Sequence, residues 1–185
     1  MPVYVPGPGA RPPSVNIGPW SPDAIGQQLA YTASLVGPVS AAWPSANRGI
    51  GYPFMLTQPR TALRMWVYNG TTASGNLDAG IYDAAGNRLV RMGSTAQSGT
   101  SALQLLDIAD TALPAYVPLY AFLAMDGTTG TAIGYTPSVN LGQARATGAV
   151  QAASAFSSGL VASLTYAALA SSYVPLFGIA FVATL

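Results

Sequence analysis

The sequence predicts an all-β protein, an antiparallel sandwich or barrel, on three observations. From residue 29 onward, short apolar segments alternate with clusters of Gly, Asn, Asp, Ser and Pro, which punctuate strands rather than helices. Two successive segments, Leu63–Asn69 and Leu77–Asp83, alternate with a period of two. The Ala-rich stretch 138–172, the best helix candidate by composition, carries no clean 3.6-residue repeat and is broken by Gly142, Gly148, Gly159 and repeated Ser.

Residues 1–22 are expected to form an extended arm. Pro stands at 2, 6, 8, 12, 13, 19 and 22, and Gly at 7, 9 and 18. Pro removes the amide donor and fixes φ, so this segment supports neither a helix nor a central strand. Residues 23–185 are read as one β domain, since a chain of 185 residues fits a single core.

Within that domain, Leu63, Met65 and Val67 are assigned to the core face, and Arg64, Trp66 and Tyr68 to the opposite one. Residues 69–76 are a loop. The next strand turns Leu77, Ala79 and Ile81 inward, and Asp83-Ala-Ala-Gly-Asn87 forms a hairpin into Arg88–Met92, with Gly86 and Asn87 suited to positive φ. Thr100–Ile108 and Tyr116–Met125 are read as strands, the second apolar on both faces as a central strand is. Asp126-Gly-Thr-Thr-Gly130 turns the chain into Thr131–Tyr135, and Pro175–Thr184 is a closing strand. Segment 138–172 is expected to be irregular, with at most one short helix.

Charge is scarce. All six acids are Asp and all seven bases are Arg; Lys, Glu, His and Cys are absent, charged residues make up 7% of the chain, and the net charge is +1. A folded chain of this size exposes roughly 8,000 Å², or about one charge per 600 Å². Beyond Arg145, positions 146–185 carry no charge. A surface so poor in charge points to burial against other protein, and the expectation is that residues 146–185 and the arm mark subunit contacts.

The absent residue types exclude much chemistry. Without His and Cys there is no Ser-His-Asp triad, no Cys-His pair and no zinc site of imidazole and thiolate ligands; without Lys there is no Schiff base. Asp107 and Asp110 are the closest acidic pair, the only arrangement reminiscent of glycoside hydrolysis, and they are read as turn residues where a strand stops. No catalytic residue and no cofactor is assigned. Asp83 with Asn87, and Asp126 with Thr128, have oxygen ligands for Ca²⁺ but are read as turn caps, so no metal is assigned. Asn69-Gly-Thr71 matches a glycosylation acceptor. The Arg residues are scattered, which argues against nucleic acid. Gly159–Ala170 is apolar but is interrupted by Ser163 and Thr165 and flanked by no base, so no membrane span is expected. The N-terminus has neither a basic start nor an apolar core, so no secretory signal is read.

The run Leu77-Asp-Ala-Gly-Ile-Tyr-Asp-Ala-Ala-Gly-Asn-Arg-Leu-Val, followed by Gly93-Ser-Thr-Ala, Leu105-Leu-Asp-Ile and Leu123-Ala-Met-Asp-Gly, resembles the jelly-roll modules of bacteriophage structural proteins. These modules occur in head decoration (cement) proteins, head fibres and minor tail proteins. The resemblance spans about Arg60 to Tyr135. It implies a single jelly-roll-like antiparallel β-sandwich in the virion, without enzymatic activity. The implied partners are other virion proteins, major capsid or tail subunits, and further copies of the chain, with a trimer as first choice. Trp20, Trp43, Trp66, Tyr68 and Tyr82 are the candidate assembly contacts. Similar hairpins occur in carbohydrate-binding β-sandwiches, so the alternative is a glycan- or receptor-binding module using Trp66, Tyr68 and Tyr82 as an outward platform.

Overall fold

The computed structural model describes residues 39–135, 148–156 and 159–181. The predicted arm and Trp20 lie outside them, as do residues 136–147 and 182–185.

The described chain is an antiparallel β-sandwich. In order, the strands are β1 (Val39–Ala42), β2 (Ile50–Phe54), β3 (Arg60–Tyr68), β4 (Asn76–Asp83), β5 (Arg88–Arg91), β6 (Thr95–Ala96), β7 (Leu103–Leu113), β8 (Leu119–Met125), β9 (Thr131–Tyr135), β10 (Val150–Ala152), β11 (Tyr166–Ala168), β12 (Val174–Pro175) and β13 (Phe177–Ala180). The larger layer runs β11-β10-β2-β8-β4-β5, with β6 paired to the start of β4. The opposing layer is built from β1-β9-β12 and β13-β3-β7. These two ribbons meet at Leu176, whose N–H donates to Ile133 O while its carbonyl accepts from Tyr68 N. One strand thus passes from β9 to β3. Early strands pair with late ones, β2 with β8 and β3 with β7, the nested wrapping of a jelly roll.

Period two explains which side chains meet between the layers. From the large sheet come Ile50, Tyr52 and Phe54, Leu77, Ala79 and Ile81, and Ala121, Leu123 and Met125. Facing them are Met65, Val67, Leu106, Ile108, Phe177 and Ile179. Tyr52 crosses the interior, its ring 5.1 Å from Phe177 and its hydroxyl donating to Pro175 O.

Leu63 does not join its predicted face, because β3 slips register between Ala62 and Arg64. There β3 advances two residues while β7 advances four, and beside this irregularity Ala62 and Met65 are both buried while Leu63 is left only partly buried. The hairpin after β4 follows its sequence: Gly86 N donates to Asp83 O, Asp83 N to Asn87 O, and Gly86 sits at φ 88°. Asn87 takes a side-chain role instead of a positive φ. β7 runs to Leu113, well past the predicted end at Ile108, so Asp107 and Asp110 belong to a strand and not to a turn. β8 begins later than predicted; Tyr116 stands before it in the left-handed region at φ 59°. Segment 138–172 contributes β10 and β11, with no helix among its described residues.

The large sheet is covered on its second face too. Tyr82, Phe122, Ala124, Ala152, Phe156, Leu160 and Leu164 form a separate apolar cluster there. On β8 the odd residues Ala121, Leu123 and Met125 point into the sandwich, and the even residues Phe122 and Ala124 into this second cluster. The connection between β10 and β11 folds back across the sheet and reaches the β4–β5 hairpin, where Leu164 N donates to Gly86 O and Arg88 N to Ala162 O. Much of the described part of the charge-free tail is therefore interior to its own chain.

Phe122 lies flat over β2, in space that a β-carbon at Gly51 would take. Gly51→Ala is expected to cost about 2 kcal/mol, lowering Tm by about 6 °C. Phe122→Leu should recover part of that loss in the double variant, a coupling measurable by thermal denaturation of all four proteins.

Candidate assembly surface

Three of the predicted contact residues lie inside the chain: Trp43 in the core between the layers, Tyr82 under the second-face cover, and Trp66 against β13. Trp43 is 1% exposed; its indole N–H donates to Arg48 O at 2.9 Å, and its ring meets Tyr173 edge-on at 6.1 Å. Tyr82 is fully buried beneath the tail, with its hydroxyl donating to Val161 O at 2.7 Å. Trp66 is buried on the outer side of β3 across Gly178, where a β-carbon would strike the indole. Only Tyr68, 36% exposed, reaches solvent as assigned. The outward platform of Trp66, Tyr68 and Tyr82 is thus corrected: strand alternation separates two faces but does not reveal that Tyr82 is covered by the tail and Trp66 by β13.

Asp78 holds the cover in place. It is 2% exposed, in the middle of β4. Its Oδ2 accepts from Leu160 N at 2.8 Å and lies 3.4 Å from Arg91 Nε, while Oδ1 accepts from Gly93 N at 3.0 Å. Arg88 and Arg91 each donate through Nη1 to Leu160 O, at 2.7 and 2.8 Å. Both polar groups of one cover residue are therefore satisfied by charged partners on the sheet. Nothing in the sequence spacing announced this link, since Asp78 and Leu160 stand far apart in the chain.

A second polar hub lies beside β7. Asn69 is fully buried; its Nδ2 donates to Ser98 O and Gln104 Oε1, and its Oδ1 accepts from Gln97 Nε2. Gln97 also donates to Thr131 O and accepts from Ser74 N. The amide nitrogen that a glycan would need is committed to two hydrogen bonds and enclosed.

The turn carboxylates are engaged in the same way. Asp83 accepts from the backbone N–H of Ala85 and Asn87 and from Asn87 Nδ2. The Asn87 side chain leads the interactions that hold its carboxyl below the usual range. Asp126 accepts from Asn76 N and Nδ2, both at 2.8 Å. Among the described residues, no group of three or more His, Cys, Asp or Glu could hold a metal. Asp107, exposed on β7, lies 3.7 Å from Arg64, an ion pair in water of little energetic weight.

The outer side of β3 and β7 is where apolar side chains reach solvent together. Register places Tyr68 opposite Leu103, Trp66 opposite Leu105 and Arg64 opposite Asp107, all on one face. Leu103 and Leu105 are 45% and 41% exposed. β7 is also the end of its sheet: β3 is its one strand partner among the described residues. Its eleven residues include no Pro, Lys or Arg, and the charges it carries are the exposed Asp107 and Asp110. Among the described residues, no helix is long and apolar enough to cross a membrane. No family model, curated protein or solved structure matches this chain.

Replacing Asp78 with Ala removes the anion between Arg91 and the Leu160 and Gly93 amides. Expected is a loss of about 3 kcal/mol, read by urea denaturation, with loosened packing around Tyr82 and Phe122 visible in near-UV circular dichroism.

The titration profile gives a further test. Burial raises the pKa of Tyr52, Tyr82, Tyr166 and Tyr173, with a neighbouring tyrosine contributing at Tyr52. Their folded values lie above the unfolded value of about 10, so the stability they contribute is complete below about pH 10 and lost as pH rises beyond it. The sequence contains neither His nor Cys, the side chains that ordinarily titrate between about pH 6 and 9. Melting temperature should be flat across that window and fall steeply above about pH 10.

Proposed function

We propose that this chain is a non-enzymatic structural component of a bacteriophage particle, a capsid decoration or cement protein that stabilises the shell through subunit contacts. The observation that carries the reading is the face of β7: Leu103 and Leu105 exposed beside Tyr68, on an eleven-residue edge with neither Pro nor a basic residue. A long edge with apolar neighbours is a template for another chain. The resemblance of the β4–β5 region to phage jelly-roll modules points the same way, as does the scarcity of charge. Within this reading the chain forms homo-oligomers, with a trimer as first choice, and meets capsid or tail subunits.

The alternative, a glycan- or receptor-binding module, loses its aromatic platform with the burial of Trp66 and Tyr82. The ordered role of Asp78, Asp83 and Asp126 as hydrogen-bond acceptors supports a scaffold over a catalyst.

The test is occupancy on the particle. Leu103→Asp/Leu105→Asp alters only exposed positions and should leave Tm within about 2 °C, as surface changes usually do. The wild-type protein should self-associate in light scattering and rebind stripped particles; the double variant should do neither. Undiminished self-association and rebinding by the double variant would contradict the proposed surface, and a monomeric wild type that binds sugar would favour the alternative.

A further inference from the structure

Tyr116 is the most exposed large apolar side chain among the described residues, at 70%, and it stands in the left-handed region at φ 59°. Gly and Asn enter that region readily; a bulky aromatic residue does so at a cost. The other described non-glycine residues with positive φ are the small or amide-bearing Asn47 and Ser101. A strained backbone that holds a ring mostly in water adds little to the core. Such conformations persist where the surrounding structure enforces them, and they gather at binding surfaces.

The surroundings of Tyr116 do enforce it. Its N–H donates to Leu56 O at 2.8 Å, and Ala115 forms a parallel bridge with Leu56, so the connection between β7 and β8 is tied to the one between β2 and β3. Pro114 and Pro118 stand two residues away on either side, each with φ set by its ring. Val117 beside the ring is 39% exposed, and Pro59, Pro114 and Pro118 are exposed as well. The result is a convex apolar tip. Tyr has few rotamers to lose, and a loop already fixed loses little freedom on binding.

The charge at this end narrows the partner. Within 55–60 and 111–118 Arg60 is the one charged residue. It opens β3, is exposed, and stands opposite Leu113. A surface that complements the tip is concave and apolar, with a carboxylate at its rim. A second copy of this chain matches that poorly, because Asp78, Asp83 and Asp126 accept hydrogen bonds within the chain and Asp107 lies against Arg64.

We propose that the Tyr116 tip is where this chain docks on a capsid subunit, with the ring and Val117 entering an apolar pocket whose acidic rim meets Arg60. The inference rests on the assembly reading and divides its labour. The β7 face joins copies, and the tip lies beyond the other end of that strand, roughly 25 Å from Leu105 at about 3.3 Å per residue. Joined copies present several tips at once, so a loss of self-association also lowers occupancy on the shell.

Tyr116→Asn removes the ring and relieves the backbone together. The full-length variant is expected to melt about 3 °C above wild type, since Asn tolerates positive φ. It should self-associate as wild type does in light scattering, yet rebind stripped particles at least about tenfold more weakly, the effect of losing a buried aromatic anchor. Tyr116→Phe keeps the ring and should rebind within about threefold of wild type, and Arg60→Gln should rebind about fivefold more weakly. Undiminished rebinding by Tyr116→Asn would overturn the proposal and leave the assembly reading intact. Loss of self-association in that variant would make a second copy the occupant, and a melting temperature well below wild type would make the ring a structural part of the fold; either overturns it. A wild type that fails to rebind at all would instead overturn the assembly reading, and the tip with it.

Discussion

The structure depends on covering both faces of one sheet in a chain that has almost no charge to spare. β8 is central, flanked by β2 and β4, and apolar on both sides, so a two-layer sandwich alone would leave Phe122 and Ala124 in water. The β10–β11 connection closes that second face, and Asp78 fastens it. A buried carboxylate without a partner would cost several kcal/mol, so the cover and the anion require each other. Leu160 supplies the N–H that Asp78 needs and the carbonyl that takes Arg88 and Arg91. Coulombic attraction, backbone hydrogen bonding and apolar burial coincide at that residue, which is why an irregular, Gly- and Ser-rich segment has a fixed path.

The sequence foretold the strands better than the layers. Period two placed Leu77, Ala79 and Ile81 against the core, and the glycine of Asp83-Ala-Ala-Gly-Asn87 gave the hairpin, because both signals are local. The bulge at Leu63 and the full length of β7 were hidden, since register and strand continuation depend on the partner β3 rather than on the residues themselves. The burial of Tyr82 was hidden for a similar reason. Its cover comes from residues about eighty positions away, with no helical or strand period to reveal it. One clue did exist: a strand apolar on both faces demands cover on both, and the uncharged segment after Arg145 was the largest stock of apolar residues not yet assigned.

The meaning of low charge changes accordingly. Leu160, Leu164, Phe177 and Ile179 are interior to the chain, so the described part of the tail needs no neighbour to hide it. The surface proposed for a partner is narrower: the outer face of β3 and β7, where Leu103, Leu105 and Tyr68 meet solvent beside the exposed Asp107 at the end of the sheet. The tip at Tyr116 is a separate feature, beyond the far end of β7.

The central claim is that the charge-free tail completes its own chain. Hydrogen–deuterium exchange on the dilute, isolated protein measures this residue by residue. The account predicts that the amides of Ala152, Phe156, Leu160 and Leu164 are protected alongside those of β8, because each is hydrogen-bonded within the fold. Exchange of those four amides at unprotected rates, with β8 still protected, would show that the cover forms only against another subunit and would contradict it.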